Sequence, residues 1–546
     1  MEVTESMLED YETFTEKERA LIEQFVTNTT GSVFALRNMP EVIKGALFSR
    51  YSRSTLGLRS LLLKEFIQDA DQPLCDQMTE GASEQVKEQE LAIKKAQNFY
   101  DRILDGYGDD SIGELGGAHL AMENLSMLAA KAIEDRRIGG SPLEKSTRYI
   151  YFDQKVQGEY LYYREPVLMT SAYKTLYIET CDMLFDTYKQ LIPPLTLFMK
   201  ERFPKDEATS KVAYTASIRA KVLDCLRGLL PASTLTNVGL FGNGRFFEYL
   251  IQKLQVNELT ELQDLGKQAF EELSKVIPSF VRRGEMGHRH YKAFATFYEA
   301  MEEEIEKITE LHTDNVSRTM EEGVRLLAAD PDDVYKVAGA LLYPYSDKGL
   351  EELITYARTL DDEELNRVLD AAATCRENRR HKPPRALEHA TFSFEYISDF
   401  GAYRDLQRHR LLTQERQRLT TDYGYYVPQE IIDAGLEKPY REALEKGKQA
   451  FEEIQKELPI EAQYVVPMAY NVRWYFKANL RSLIWLCELR SAPQGHAVYR
   501  KIAQNMVQQI IETIPQFERF FKFVDFDGHD LGRLAQEERK VQLTGN

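Results

Sequence analysis

Long apolar runs are missing from this 546-residue chain. No stretch approaches the roughly 18 uninterrupted apolar residues of a membrane span, which excludes a helical membrane protein. Cysteine is scarce and unpaired: Cys75, Cys181, Cys225, Cys375 and Cys487 are odd in number, far apart and never in a C-x-x-C pair. Neither a disulfide framework nor a zinc or other metal site is expected, and the thiols read as buried. A surplus of positive charge is missing too. The 69 Lys and Arg residues face 87 Asp and Glu residues, a net charge of −18. Such a balance disfavours nucleic acid and anionic membrane as partners and leaves small molecules. The opening run MEVTESMLEDYETFTEKERAL is acidic and has neither the basic start nor the apolar stretch of a secretory signal, so a cytoplasmic location is expected.

What is present is material for ordinary globular cores, 43% apolar and 29% charged residues. Single cores stop growing at about 250–300 residues, so two large domains are expected. Residues 1–30 read as a helix in polar surroundings and 82–106 as an amphipathic helix. Strand-like clusters of β-branched and aromatic residues stand at Tyr149–Phe152, Tyr160–Arg164 and Ala390–Ile397, which favours an α+β class. A charged helical segment over 298–321 runs to Asp330-Pro331-Asp332-Asp333, read as a helix stop and turn. The expected organisation is an N-terminal helical extension over 1–35, a first unit over 36–290, a helical linker over 291–330 and a second unit over 331–546.

Internal similarity supports two copies of one unit. Gly45-Ala46-Leu47…Tyr51-Ser52 recurs as Gly339-Ala340-Leu341…Tyr345-Ser346, an offset of 345 − 51 = 294. Leu229-Leu230-Pro231…Asn243-Gly244-Arg245 recurs as Val465-Val466-Pro467…Asn479-Leu480-Arg481, an offset of 467 − 231 = 236. The order is kept while the spacing shrinks, as loop trimming in a diverged duplicate would produce.

Arginine clusters stand out against the acidic background. Arg408-His409-Arg410 lies in LQRHRLLTQERQRLT, followed by Arg416 and Arg418. A guanidinium offers a planar fork of donors matched to phosphate and stays charged when desolvated. Arg136, Arg137, Arg148 and Arg227 form a looser set in the first copy, beside Ile138-Gly139-Gly140-Ser141, whose small residues suit a backbone anion cradle. The competing reading of the second-copy cluster is a solvated basic face paired with glutamates.

Read in order, Glu388-His389, Arg408-His409-Arg410, Asn479-x-Arg481-Ser482-Leu483 and Arg490 resemble the flavin-dependent thymidylate synthase family, whose signature is R-H-R-x-x-S followed by E-x-S-x-R-Y. The first half completes the pattern. Ser141-Pro142-Leu143-Glu144-Lys145-Ser146-Thr147-Arg148-Tyr149 matches S-x-x-E-x-S-x-R-Y, and Asp109-Asp110-Ser111-Ile112-Gly113-Glu114 is similar to the family's H-x-[ST]-x-x-E segment. Each copy departs where the other is intact. The triplet reads Arg136-Arg137-Ile138 in the first copy, whereas the second carries Thr413 for the signature serine and lacks the E-x-S-x-R-Y run. Arg227 faces Gln463 in the second copy, and Arg490 faces Leu254 in the first.

The resemblance implies two tandem units of the thymidylate-synthase-complementing kind, each a small, mostly antiparallel sheet packed with helices. It implies FAD as cofactor, NADPH and methylenetetrahydrofolate as co-substrates, conversion of dUMP to dTMP, and a homodimer with the unit count of the family's homotetramer. The implied dUMP shell is Ser141, Glu144, Ser146, Arg148, Arg227 and Arg490. The implied FAD shell is Arg408, His409, Arg410, Glu388, Ser111, Glu114, Asn243, Arg245, Asn479 and Arg481. Ser146, Arg148 and Arg410 would carry the catalytic roles, Ser146 by polarising or orienting. The competing readings are a cap or turn for Ser146, helix ties for Asn243 with Arg245 and for Asn479 with Arg481, and aromatic packing for Tyr423-Gly424-Tyr425-Tyr426. His496 resembles a histidine the family carries downstream of its arginine. Because neither copy holds the full motif, a second reading is a flavin- or nucleotide-binding homologue that has lost methyl transfer or acts on another uridine nucleotide.

Overall fold

Seven strands form two antiparallel sheets in the computed structural model, which describes residues 14–52, 54, 56–67 and 113–544. The strands are β1 (Gly117–Ser126), β2 (Gly140–Glu144), β3 (Leu235–Asn243), β4 (Gly323–Ala328), β5 (Thr391–Asp399), β6 (Thr413–Arg416) and β7 (Asn471–Asn479). One sheet has the order β1-β3-β2 and the other β4-β5-β7-β6, so the second repeats the order of the first and adds β4 at its edge. With helices making up most of the rest, the class is α+β. The helix expected over 82–106, and Cys75 and Ser111, lie outside the described residues.

The sequence repeat is a repeat of structure. Each central strand ends in an asparagine that caps the next helix. The Asn243 side chain accepts from the Phe246 N–H at 2.8 Å, and that of Asn479 from the Ser482 N–H at 2.9 Å. Two residues on, each arginine pairs with a glutamate: Arg245 with Glu114 at 2.8 Å, Arg481 with Glu388 at 2.6 Å. Residues 136–138 and 408–410 both lie in the connection from a helix (Met127–Glu134, Phe400–Leu406) to a short strand.

Compact groupings cut across the two copies. A first unit comprises residues 1–123, 136–144 and 237–315, and a second comprises 124–135, 145–236 and 316–546. The first unit contains helix Glu16–Ile22, closed by a capping box between Thr15 and Glu18, and helix Gly244–Gln255. Within the second unit, helix Lys174–Arg202 packs on helices Lys211–Leu226 and Glu437–Ile454. Trp474 stacks on Tyr396 with ring centroids 4.8 Å apart in its core.

The two copies of the proline motif meet inside that unit. Pro231 and Pro467 form an antiparallel bridge. The Ala232 N–H donates to the Val466 carbonyl at 2.9 Å, and the Met468 N–H to the Leu230 carbonyl at 2.9 Å. Gly228 stands beside it, where a Cβ would lie 2.3 Å from the Tyr440 hydroxyl and displace that side chain.

Several expectations are corrected. Tyr149–Phe152 is turn and coil, and Tyr160–Arg164 holds one isolated bridge, Tyr162 to Thr234. Their aromatic content serves packing: Tyr160 stacks on Phe185 at 4.9 Å and its hydroxyl donates to Asp186 at 2.6 Å. The turn expected at Asp330–Asp333 is present at Pro331-Asp332, but it leads from β4 into helix Asp333–Leu342 and ends no helix. Cys181, Cys225 and Cys487 are buried, but Cys375 is exposed. Among the described residues, no helix is long and apolar enough to cross a membrane.

Candidate functional site

Helix Lys211–Leu226 brings Asp224 to its last turn and passes into the short 3₁₀ turn Arg227–Leu229, so an acid and an arginine are delivered by one backbone run. Arg148 reaches Asp224 from the segment after β2. Its Nε and Nη2 donate to the two carboxylate oxygens, each at 2.7 Å, the bidentate geometry that a guanidinium fork favours. Nη1 donates to the Tyr499 hydroxyl at 2.8 Å and Nη2 to the Gln494 carbonyl at 3.2 Å. Burial alone would lower the Arg148 pKa, but the Asp224 carboxylate outweighs it and holds the guanidinium well above its ordinary value. Burial would likewise raise Asp224, yet Arg148 and then Arg533 hold it well below the usual carboxylate range.

Tyr499, on helix Ala497–Thr513, joins the two repeats. Arg148 lies 5.5 Å from its ring centroid and Arg490 lies 5.6 Å from it. Arg490 donates through Nε to Nε2 of His409 at 2.8 Å, so that histidine accepts there and carries its proton on Nδ1. Burial and then Arg490 keep the His409 pKa well below its ordinary value, which preserves the neutral acceptor. The middle residue of the R-H-R triplet is thus turned inward onto a second arginine, while Arg408 and Arg410 are exposed.

Asp405 is the shared counter-ion. Arg227 Nη1 donates to it at 3.1 Å. Burial would raise its pKa, but Arg227, Arg408, Arg148 and Arg490 together hold it well below the carboxylate range. Two arginines of the first copy and two of the second therefore act on one carboxylate. Asp399 caps helix Phe400–Leu406 through the Ala402 N–H at 3.0 Å, and burial pushes it up to about 6 against the pull of Arg227. His496 caps helix Ala497–Thr513, its Nδ1 accepting from the Val498 N–H at 3.3 Å, with Nε2 3.2 Å from the Asp224 carbonyl. Burial, then Arg227, lower its pKa to about 3.

Of the residues singled out in sequence, Ser146, Arg148, Arg227, Arg408, His409, Arg410 and Arg490 all belong to the second unit. The Ser146 hydroxyl accepts from the Arg148 N–H at 3.2 Å, which makes it a turn residue that shapes the approach of Arg148. Ser141 and Glu144 lie on β2 in the first unit, as do Asn243, Arg245 and Glu114 in their cap and ion pair. Glu388, Asn479 and Arg481 form the equivalent tie in the second unit, where Arg481 also donates to the Pro383 carbonyl at 2.8 Å. Tyr425 packs edge-on against Tyr470 at 5.2 Å, within the tyrosine run.

Asp224, Asp405, Tyr499 and Arg533 escaped sequence reasoning. A signal was present for the two acids: each stands three residues before an arginine, as Asp224-x-x-Arg227 and Asp405-x-x-Arg408.

Comparison with known proteins agrees with this duplicated architecture. The family model described as thymidylate synthase complementing protein matches residues 68–279 and again 325–516. A UPF0159 protein of Chlamydia muridarum is 54% identical over 96% of this chain and 98% of its own length. One of Thermoplasma acidophilum is 33% identical over 92% of this chain and 99% of its own. A flavin-dependent thymidylate synthase of Clostridium tetani is 26% identical over 37% of this chain and 88% of its own.

Proposed function

Because this chain belongs to the thymidylate synthase complementing protein family and matches it twice, we propose that it is a flavin-dependent enzyme that methylates dUMP to dTMP at a composite site. The first copy would supply the nucleotide-facing arginines and the second the flavin-facing ones. The observation that carries this reading is that arginines of the two copies meet: Arg148 and Arg490 lie 5.5 and 5.6 Å from the Tyr499 ring centroid, and Arg227 donates to Asp405 at 3.1 Å.

The residues present fit phosphorylated ligands. Five guanidinium groups, of Arg148, Arg227, Arg408, Arg490 and Arg533, act on two carboxylates, those of Asp224 and Asp405. Nη2 of Arg227 is buried and donates to no protein group. A buried unspent donor costs about 1–3 kcal/mol, which a phosphate oxygen would offset. Arg408 and Arg410, exposed in the turn before β6, would hold FAD, with His409 fixing Arg490 behind them. Bound there, FAD reduced by NADPH would supply a hydride, and methylenetetrahydrofolate the one-carbon unit.

The protein's own contribution is positional and electrostatic. Arg227 grips a nucleotide phosphate with its unspent Nη2. Arg490, braced by His409 and the Tyr499 ring, stabilises negative charge developing on the pyrimidine. Ser146 accepts from the Arg148 N–H and keeps its own hydroxyl proton for a polar atom of the substrate. NADPH, folate and nucleotide are the partners of this reading, in a cytoplasmic homodimer. One observation favours a flavin- and nucleotide-binding homologue without methyl transfer: the fork of Arg148 is already taken by Asp224.

The test is whether purified protein is yellow and releases tritium from ring-labelled dUMP when given NADPH and methylenetetrahydrofolate. A yellow protein without release supports the second reading, and a protein that cannot be loaded with flavin refutes both. Arg410→Ala should weaken flavin retention and Arg148→Ala dUMP affinity. Equal loss of both ligands in either variant would count against divided labour.

A further inference from the structure

We propose that a cavity beside Asp224 in the second unit binds a compact oxyanion, a phosphate or carboxylate group, with Arg533 as its principal donor. The inference goes beyond the activity proposed above, since Arg533 lies past the second family match and no sequence motif points to it.

Four backbone segments close the cavity. One face of helix Lys211–Leu226 presents Lys221 and Asp224, and Glu430 faces them. Residues 493–497 bring the amino end of helix Ala497–Thr513, and residues 529–533 bring Arg533. Its volume is about 60 Å³, room for two water-sized groups and on the scale of one small oxyanion. The C-terminal segment is seated closely: a Cβ on Gly532 would lie 1.9 Å from the Pro493 carbonyl oxygen, so only glycine permits this approach.

Acids and bases alternate around the cavity, with Asp530 on its rim, and Arg533 stands out by its unused hydrogen-bond donors, although it is ion-paired with Asp224 and lies 4.5 Å from the Tyr149 ring centroid. Asp224 is held bidentately by Arg148, Glu430 is ion-paired with Lys221, and Arg500 pairs with Asp525 at 3.5 Å. Arg533 is 6% exposed. Its Nη1 donates to the Arg148 carbonyl at 3.2 Å, but Nε and Nη2 donate to no protein group, and the nearest carboxylate oxygen, of Asp224, is 3.6 Å from Nη2, beyond hydrogen-bond reach. Arg533, a permanent cation with two buried donors unused, thus lines a cavity that also receives the positive end of a 17-residue helix. Those are the two elements of an anion site, a fork of donors and a helix amino terminus. A nucleotide phosphate and a free anion share this chemistry.

Equilibrium dialysis of the full-length, flavin-free protein against radiolabelled inorganic phosphate tests the site without reference to flavin chemistry. Saturable binding of one phosphate per chain is expected, displaced by acetate in excess. Arg533→Met should weaken it at least about tenfold, the effect of losing a charge-assisted hydrogen bond. Lys221→Gln, which leaves Glu430 unopposed in the wall, should weaken it comparably and serves where Arg533→Met does not fold. Competition by dUMP would identify the anion as the nucleotide's phosphate, and dUMP binding without displacement would identify a free anion. Absence of saturable binding in the wild type, or unchanged affinity in a folded Arg533→Met or Lys221→Gln variant, would overturn the proposal.

Discussion

Replacing Asp405 with asparagine isolates the role of the shared counter-ion, because shape is retained while charge is lost. Asp405 is 8% exposed and the guanidinium of Arg227 is 3.1 Å away. Two unit charges at that separation attract by about 5 kcal/mol at the effective dielectric suited to protein sites. Removing one member of a buried pair leaves the other uncompensated, at about 3–5 kcal/mol. Arg408, Arg148 and Arg490 act on the same carboxylate, so the upper part of that range is expected. Tryptophan fluorescence during urea unfolding is the assay of choice, since both tryptophans, Trp474 and Trp485, belong to the second unit. Inorganic phosphate should restore more stability to Asp405→Asn than to the wild type, as an added anion replaces the missing charge. A variant within about 1 kcal/mol of wild type, with no greater response to phosphate, would refute the view that the four arginines are held together by this carboxylate.

Two further outcomes concern pH. The Asp399 pKa, raised to about 6, means that the folded protein keeps a proton the unfolded chain has released, so stability is fullest below about pH 4 and falls as pH rises to about 6. Asp399→Asn keeps a capping oxygen for Ala402 and should gain about 3 kcal/mol at pH 7 while losing that decline, read from urea midpoints across pH. The His496 pKa, lowered to about 3, acts in the opposite sense: stability is present above about pH 6.5 and falls towards pH 3 by up to about 1.4 kcal/mol per pH unit. His496→Gln should flatten the acid limb by that slope, and an unchanged slope would show that the imidazole is not buried neutral.

The duplication was legible because its signals are local. A proline that sets a bridge and an asparagine that caps a helix keep their identity as copies diverge, and the 236-residue offset joins segments that are hydrogen-bonded to one another. The α+β class and β5 followed from clusters of β-branched and aromatic residues. Tyr160 and Tyr162 misled because aromatic residues mark strands and helix-packing coil equally well. At the site, motif arginines could be named but not their partners. Asp224 and Asp405 are two of 87 acidic residues and are singled out by their pairing with arginines, a property of the fold. Arg533 is farther still from legibility. It reaches its cavity only because Gly532 lets the chain pass the Pro493 carbonyl.

The Pro231 to Pro467 bridge has a kinetic and evolutionary meaning. Its two strands of backbone belong to one polypeptide, so the junction closes at an effective concentration set by chain length, whatever the protein concentration in solution. Dilution cannot take apart what it holds. Fusion also frees each side to mutate alone: Arg227 can persist opposite Gln463, and Arg490 opposite Leu254, because no symmetry operator copies a change on one side to the other.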